Sequence, residues 1–167
     1  LSRGLGDVYK RQPMELVLAK MVPYFFIALL GTGICLVLSR FLFSVPMVGS
    51  LSAILGISMI YLLVALGIGL MISAVTKNQF LACQFAIMGT FMPALMLSGF
   101  LYDILNMPPA VRAVTYLIPA RYYVTLLQTL FLAGDIPSVI IPCCITLGVF
   151  AVVLMSIARL KAPKSLE

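Results

Sequence analysis

DILNMPPAVRAVTYLIPARYYVTLLQTLFLAGD, residues 103–135, is the stretch that decides how this chain folds. It is apolar but interrupted by Asp103, Pro108, Pro109, Arg112, Pro119, Arg121 and Asp135. A helix from Arg121 to Ala133 would reach about 20 Å at about 1.5 Å per residue, against a bilayer core of about 30 Å. Neither half can cross alone. Joining Ala113 to Gly134 into one kinked span is the alternative, and it would carry Arg159, Lys161 and Lys164 to the side opposite Lys20 and Lys77. Lys and Arg concentrate on cytoplasmic flanks, which disfavours that arrangement. The stretch reads instead as a broken re-entrant hairpin that dips into the outer leaflet and returns.

Outward from it, the rest of the chain supplies the crossings. Residues 21–43, 51–75, 80–102 and 136–158 are apolar runs, interrupted only by Arg40 and bounded by Lys20, by Pro46 and Gly49, by the polar turn Thr76-Lys77-Asn78-Gln79, and by Arg159. Each is long enough to span. Four spans put Lys20, Lys77, Arg159, Lys161 and Lys164 inside and Arg40, Arg112 and Arg121 outside. The expected fold class is therefore all-α, a polytopic membrane protein with four transmembrane helices and a re-entrant helical hairpin before the last. Small residues at Gly49, Ser52, Ala53, Gly56, Ala65 and Gly69 predict close helix packing in the second span. Pro93, inside the third, predicts a kink, with a moving hinge as the alternative.

Composition agrees. Of 167 residues, 63% are hydrophobic and 10% charged, where a soluble domain has about 45–50% and about 25%. The excess of 11 Lys and Arg over 5 Asp and Glu is scattered singly between apolar runs rather than gathered on a face, which excludes nucleic acid as the partner. Histidine is absent, which removes the commonest metal ligand and general base. Cys35, Cys83, Cys143 and Cys144 lack metal or redox spacing and read as small hydrophobes. No glycine precedes a lysine, so the phosphate cradle of an ATPase is missing. No catalytic residue, metal site or cofactor is expected.

Residues 1–12, LSRGLGDVYKRQ, hold Arg3, Asp7, Lys10 and Arg11 in a polar stretch unlike a signal or transit peptide. DVYKRQ is what GAT GTG TAT AAG AGA CAG encodes, which resembles a transposase end used as a sequencing adapter. They are expected to be foreign, with natural text starting near Pro13; an ordinary basic leader is the alternative.

Among the charges, Arg121 is the candidate for partial burial, and a guanidinium at membrane depth needs a carboxylate, carbonyls or water. Asp103 and Asp135 are the expected partners; snorkelling to the headgroups is the alternative. Tyr102, Tyr116, Tyr122 and Tyr123 gather around the same segment and suit an interface belt.

Two stretches carry a family resemblance: PMELVLAKMVPYF, residues 13–25, and LSGFLYDILNMPPAVRAVTYLIPARYYVTLLQTLFLAGD, residues 97–135. Ser98-Gly99-Phe100, Met107-Pro108, Ile118-Pro119-Ala120-Arg121-Tyr122 and Phe131-Leu132-Ala133-Gly134 together resemble the C-terminal half of an ABC-2 type permease, the membrane subunit of one group of bacterial ATP-binding-cassette exporters. The resemblance covers residues 13–161 and leaves 162–167 as a cytoplasmic tail. It implies that two spans, an outer domain and most of a coupling helix precede this segment in the whole protein. It further implies a multi-pass inner-membrane subunit that pairs with a second permease, identical or related, and docks on a cytoplasmic ABC ATPase subunit. Glu15 and Lys20 would then lie in the coupling region, with an ordinary polar flank as the alternative. Gly99, Asp103, Pro108, Pro119, Arg121, Tyr122 and Gly134 would shape the outer hairpin.

The function so implied is export of drugs or other amphipathic small molecules, powered by a separate subunit. A passive channel or membrane scaffold is the competing class. An intramembrane enzyme lacks actors.

Overall fold

The computed structural model describes the backbone of residues 2–76 and 78–161 and the side chains of residues 19, 21–73, 75, 76 and 78–158. Every regular element among them is helical: α1 (Ser2–Phe41), α2 (Leu51–Val75), α3 (Gln79–Ala86), a π-helical turn (Ile87–Phe91), α4 (Met92–Leu97), a single 3-10 turn (Ile104–Asn106), α5 (Pro109–Thr115), α6 (Pro119–Leu132) and α7 (Pro137–Lys161). Met21–Phe41, Leu51–Ser73, Gln79–Leu97 and Pro137–Ala158 are long and apolar enough to cross a membrane. The chain is an all-α polytopic membrane protein.

Local chemistry sets the breaks. Past Phe41 the chain turns through Ser44, which takes a left-handed φ of 50°, and resumes at α2. Asn78 starts α3 by accepting the Phe80 N–H at 3.0 Å, a side-chain cap that satisfies one orphan donor. The third crossing ends at Leu97, short of the expected Tyr102, because Gly99 adopts φ 88° and reverses the chain there. Pro93 lies in the first turn of α4, directly after the π-helical turn. Such a wide turn inserts a residue into the helix, and the Met92 N–H bonds back to the Ile87 carbonyl across it.

The packed part is a three-helix wedge of α2, α6 and α7. Its centre is Ile54, Ile57 and Val64 from α2, Leu126 and Leu130 from α6, and Leu147 from α7. Lipid is as apolar as leucine, so these contacts stabilise by close packing rather than by exclusion of water. Glycine sets the approach at two positions. A Cβ on Gly67 would lie 3.1 Å from Leu154 Cβ, and one on Gly49 would lie 2.8 Å from the Leu130 carbonyl oxygen. Gly56 and Gly69, expected to serve the same purpose, have nothing within 4 Å.

Hydroxyls inside the helices fold back on their own backbones. Thr32, Ser58, Thr76, Thr125, Thr129, Thr146 and Ser156 each donate to the carbonyl four residues earlier at 2.7–2.9 Å. That bond hides a polar group from hydrocarbon without a partner helix.

Candidate functional site

The hairpin is built from its helix ends. Asp103 accepts the Leu105 N–H at 3.1 Å and so caps the 3-10 turn. Pro108 stands before α5, whose first residue is Pro109, and Pro119 opens α6. Prolines belong there because the first helical N–H has no intrahelical acceptor. At the far end Gly134, buried and at φ 87°, closes α6 with its N–H on the Thr129 carbonyl at 2.9 Å.

Depth follows from what α6 touches along α2. Its C-terminal end meets the beginning of α2: the Gly49 N–H donates to the Leu130 carbonyl at 2.8 Å, and Asp135 accepts the Ser50 N–H at 3.2 and 3.3 Å. Its N-terminal half meets residues further along. The Tyr123 hydroxyl lies 3.0 Å from Ser58 Oγ, and its ring stacks on Tyr61 with centroids 4.1 Å apart and planes at 2°. Ser58 and Tyr61 are about 10 to 15 Å into α2 at about 1.5 Å per residue. Tyr122 sits 6.2 Å from Phe150, well along α7. Thus α6 runs antiparallel to α2, with its proline-led start beside the middle of a span and its glycine end at the rim.

The Ser58 proton already goes to the Ile54 carbonyl at 2.7 Å, so Tyr123 is the donor between the two hydroxyls. Both polar groups are then satisfied inside the wedge. Tyr123 therefore belongs to the helix interface, not to the expected interfacial belt. Tyr122 donates to the Tyr116 carbonyl at 3.0 Å and ties α6 to the end of α5. Exposed Tyr102 and Tyr116 stay outside the wedge.

Arg121 corrects a second expectation. Its Nη1 donates to the Thr115 hydroxyl, and its guanidinium lies over the Tyr116 ring, 3.9 Å from the centroid, within cation–π range. Thr115 is wholly buried and donates in turn to the Arg112 carbonyl at 2.8 Å. Neither Asp103 nor Asp135 takes the carboxylate role, because both cap helix starts elsewhere. Ser98, in the Ser98-Gly99-Phe100 turn, is buried with its hydroxyl unpartnered among the described residues.

Glu15 and Lys20 fall on the α1 backbone, but their side chains lie outside the described residues, as does the tail 162–167. Ser58, Tyr61 and Gly67 were not singled out in the sequence. The signal for the first two was available: a hydroxyl and a phenol three residues apart in an otherwise charge-free span.

Against known proteins, the family model described as ABC-2 type transporter matches residues 8–132. The chain belongs to the ABC-2 type transporter family. It is 46% identical over 153 residues to the probable multidrug ABC transporter permease YbhS of Escherichia coli (strain K12), covering 92% of this chain and 41% of that protein. It is 30% identical over 121 residues to the probable multidrug ABC transporter permease YbhR of the same strain, covering 71% of this chain and 32% of that protein. This ABC-2 chain thus spans well under half the length of these curated relatives. No solved structure matches it.

Proposed function

We propose that the chain is the C-terminal part of the permease subunit of an ABC exporter in a bacterial inner membrane. In this reading a second permease and a cytoplasmic ATPase complete the machine, and amphipathic small molecules of the drug class are its cargo. The carrying observation is α6 buried along α2 and α7, with its start beside mid-span. A hairpin seated so deeply between two crossings moves when they move, so it couples helix displacement to the outer face of a path. The names of the two relatives support the cargo class, and the lack of a phosphate cradle in this sequence supports a separate source of ATP hydrolysis.

The test is to co-purify the complete permease with the Walker-type ATPase encoded beside it and to measure hydrolysis with and without candidate amphiphiles. Stable co-purification and amphiphile-stimulated hydrolysis are expected. Failure to bind any such ATPase, with helices intact, would point to a passive channel or scaffold. Within the same complex, Glu15→Gln and Lys20→Gln are expected to weaken stimulation if these residues belong to the coupling region.

A further inference from the structure

The third crossing carries a backbone carbonyl with no donor at its middle. In an α-helix the Met88 carbonyl would accept the Met92 N–H, but across the π-helical turn that N–H goes to the Ile87 carbonyl. A wider turn would offer Met88 the N–H of residue 93 instead. Pro93 has none. The nearby hydroxyl of Thr90 donates to the Ala86 carbonyl, so it does not help either. Met88 lies about 14 Å along the crossing Gln79–Leu97 at about 1.5 Å per residue, close to the middle of a core about 30 Å thick.

The surroundings leave this carbonyl uncovered. Met88 is 64% exposed, and Gly89 after it adds no side chain; a Cβ there would meet nothing within 4 Å. Four residues earlier, on the same face, Gln84 is exposed as well. The side-chain hydrogen bonds within residues 78–97 are those of Asn78 and Thr90, so the Gln84 carboxamide has no partner among the described residues. A carboxamide and a bare carbonyl thus form an uncharged polar stripe about 6 Å long.

Hydrocarbon offers neither group a partner. Irregular backbone persists at membrane depth only where protein covers it or water reaches it. A covering helix would have to bring a donor to the Met88 level and still pack around side chains that stand out on both sides of a bare glycine. Water needs no such fit, and it can donate to the carbonyl and both donate to and accept from the carboxamide.

We propose that the face of the third crossing made by Gln84, Met88 and Gly89 lines a water-filled path into the membrane. Water bonds to the Met88 carbonyl at mid-depth and to the Gln84 carboxamide on the approach from Gln79. The π-helical turn and Pro93 are what present the carbonyl. The path is wet whether or not cargo is pumped through it, so the inference does not rest on the exporter reading.

The test uses the complete protein, made cysteine-free and placed in liposomes, with one nitroxide at a time on Gln84→Cys, Met88→Cys, Gly89→Cys or Leu30→Cys. Leu30 is 67% exposed and lies as far into Met21–Phe41 as Met88 does into its own crossing, so it serves as the dry reference. Spin-echo modulation by deuterated water reads water contact at each label. Contact at Met88 and Gly89 is expected to be severalfold above Leu30 and close to that at Gln84. The Gly89 label, which has open space, keeps the result independent of the lost methionine. Gln84→Leu should lower the Gly89 signal severalfold and Gln84→Asn should keep it; equal signals in the two would remove Gln84 from the path. Labels at Met88 and Gly89 as dry as Leu30, whether or not oxygen reaches them through lipid, would overturn the path. Wet labels in a protein that binds no ATPase would keep it and remove the exporter.

Discussion

The second and third crossings are written in the same apolar vocabulary, yet 28% of the α2 window is buried within the molecule and none of the third is. The third, α3 through α4, shows Phe80, Phe85, Ile87, Met88, Phe91 and Met92 on its outside and is interrupted by its π-helical turn. The difference is one of partners. In water both would be driven inward by the same area term, but lipid supplies no such drive between helices. A crossing becomes core only where glycine lets backbones close up, or where a polar node or a cap pins a neighbour to it. α2 and the two residues that lead into it have all three, in Gly49 and Gly67, Ser58, and the Ser50 amide.

That contrast can be broken experimentally, beginning where the effect should be largest. Leu126→Ala opens a cavity at a fully buried position and is expected to cost about 2–5 kcal/mol, while Met88→Ala on the third crossing costs well under ~2 kcal/mol. Reversible unfolding of the complete protein in mixed micelles would read both, and equal losses would refute the contrast. Next comes Gly49→Ala, which drives a Cβ into the Leu130 carbonyl; about 1–3 kcal/mol is expected from overpacking. Gly89→Ala, with nothing within 4 Å, should lower the midpoint of heat denaturation little or not at all.

Smaller effects sharpen the account of the wedge. Tyr123→Phe removes the hydroxyl but keeps the ring stack, so about 0.5–1.5 kcal/mol is expected. A double-mutant cycle with Ser58→Ala should recover most of that loss as coupling. Smallest is Asp135→Ala, which frees the start of α2 from its long-range cap. It is expected to cost about 0.5 kcal/mol, the low end for a cap, because Asp135 is exposed; amide hydrogen exchange at Ser50 should speed up even if global stability barely moves.

The number of crossings was legible because an uncharged run of sufficient length has few alternatives in a chain this apolar. That residues 109–132 form two short helices was legible because Pro109 and Pro119 leave pieces too short to cross. Which face of α6 turns inward was also written: Tyr123, Leu126, Leu127 and Leu130 form one helical stripe, although tyrosine as a residue type suits the membrane interface equally well. The partner of Arg121 was not legible. Asp135 looked available in sequence, and only the tertiary fold brings the Ser50 amide to it across 85 residues. Gly67 differs from Gly56 and Gly69 only by rotation around α2, which spacing cannot resolve when every face is apolar, and Gly49 matters because it lies just ahead of α2, where the end of α6 reaches it.

A re-entrant segment over residues 103–135 requires α6 to start in mid-membrane and to end at the outer rim. Single cysteines placed at Asp103, Asp135 and Lys164 of a cysteine-free complete protein can be challenged in intact cells with a membrane-impermeant maleimide. Labelling at Asp103 and Asp135 from outside, with Lys164 reached only after the cells are opened, is the predicted result. Labelling of Asp103 and Asp135 from opposite sides, or of Lys164 from outside, would contradict it.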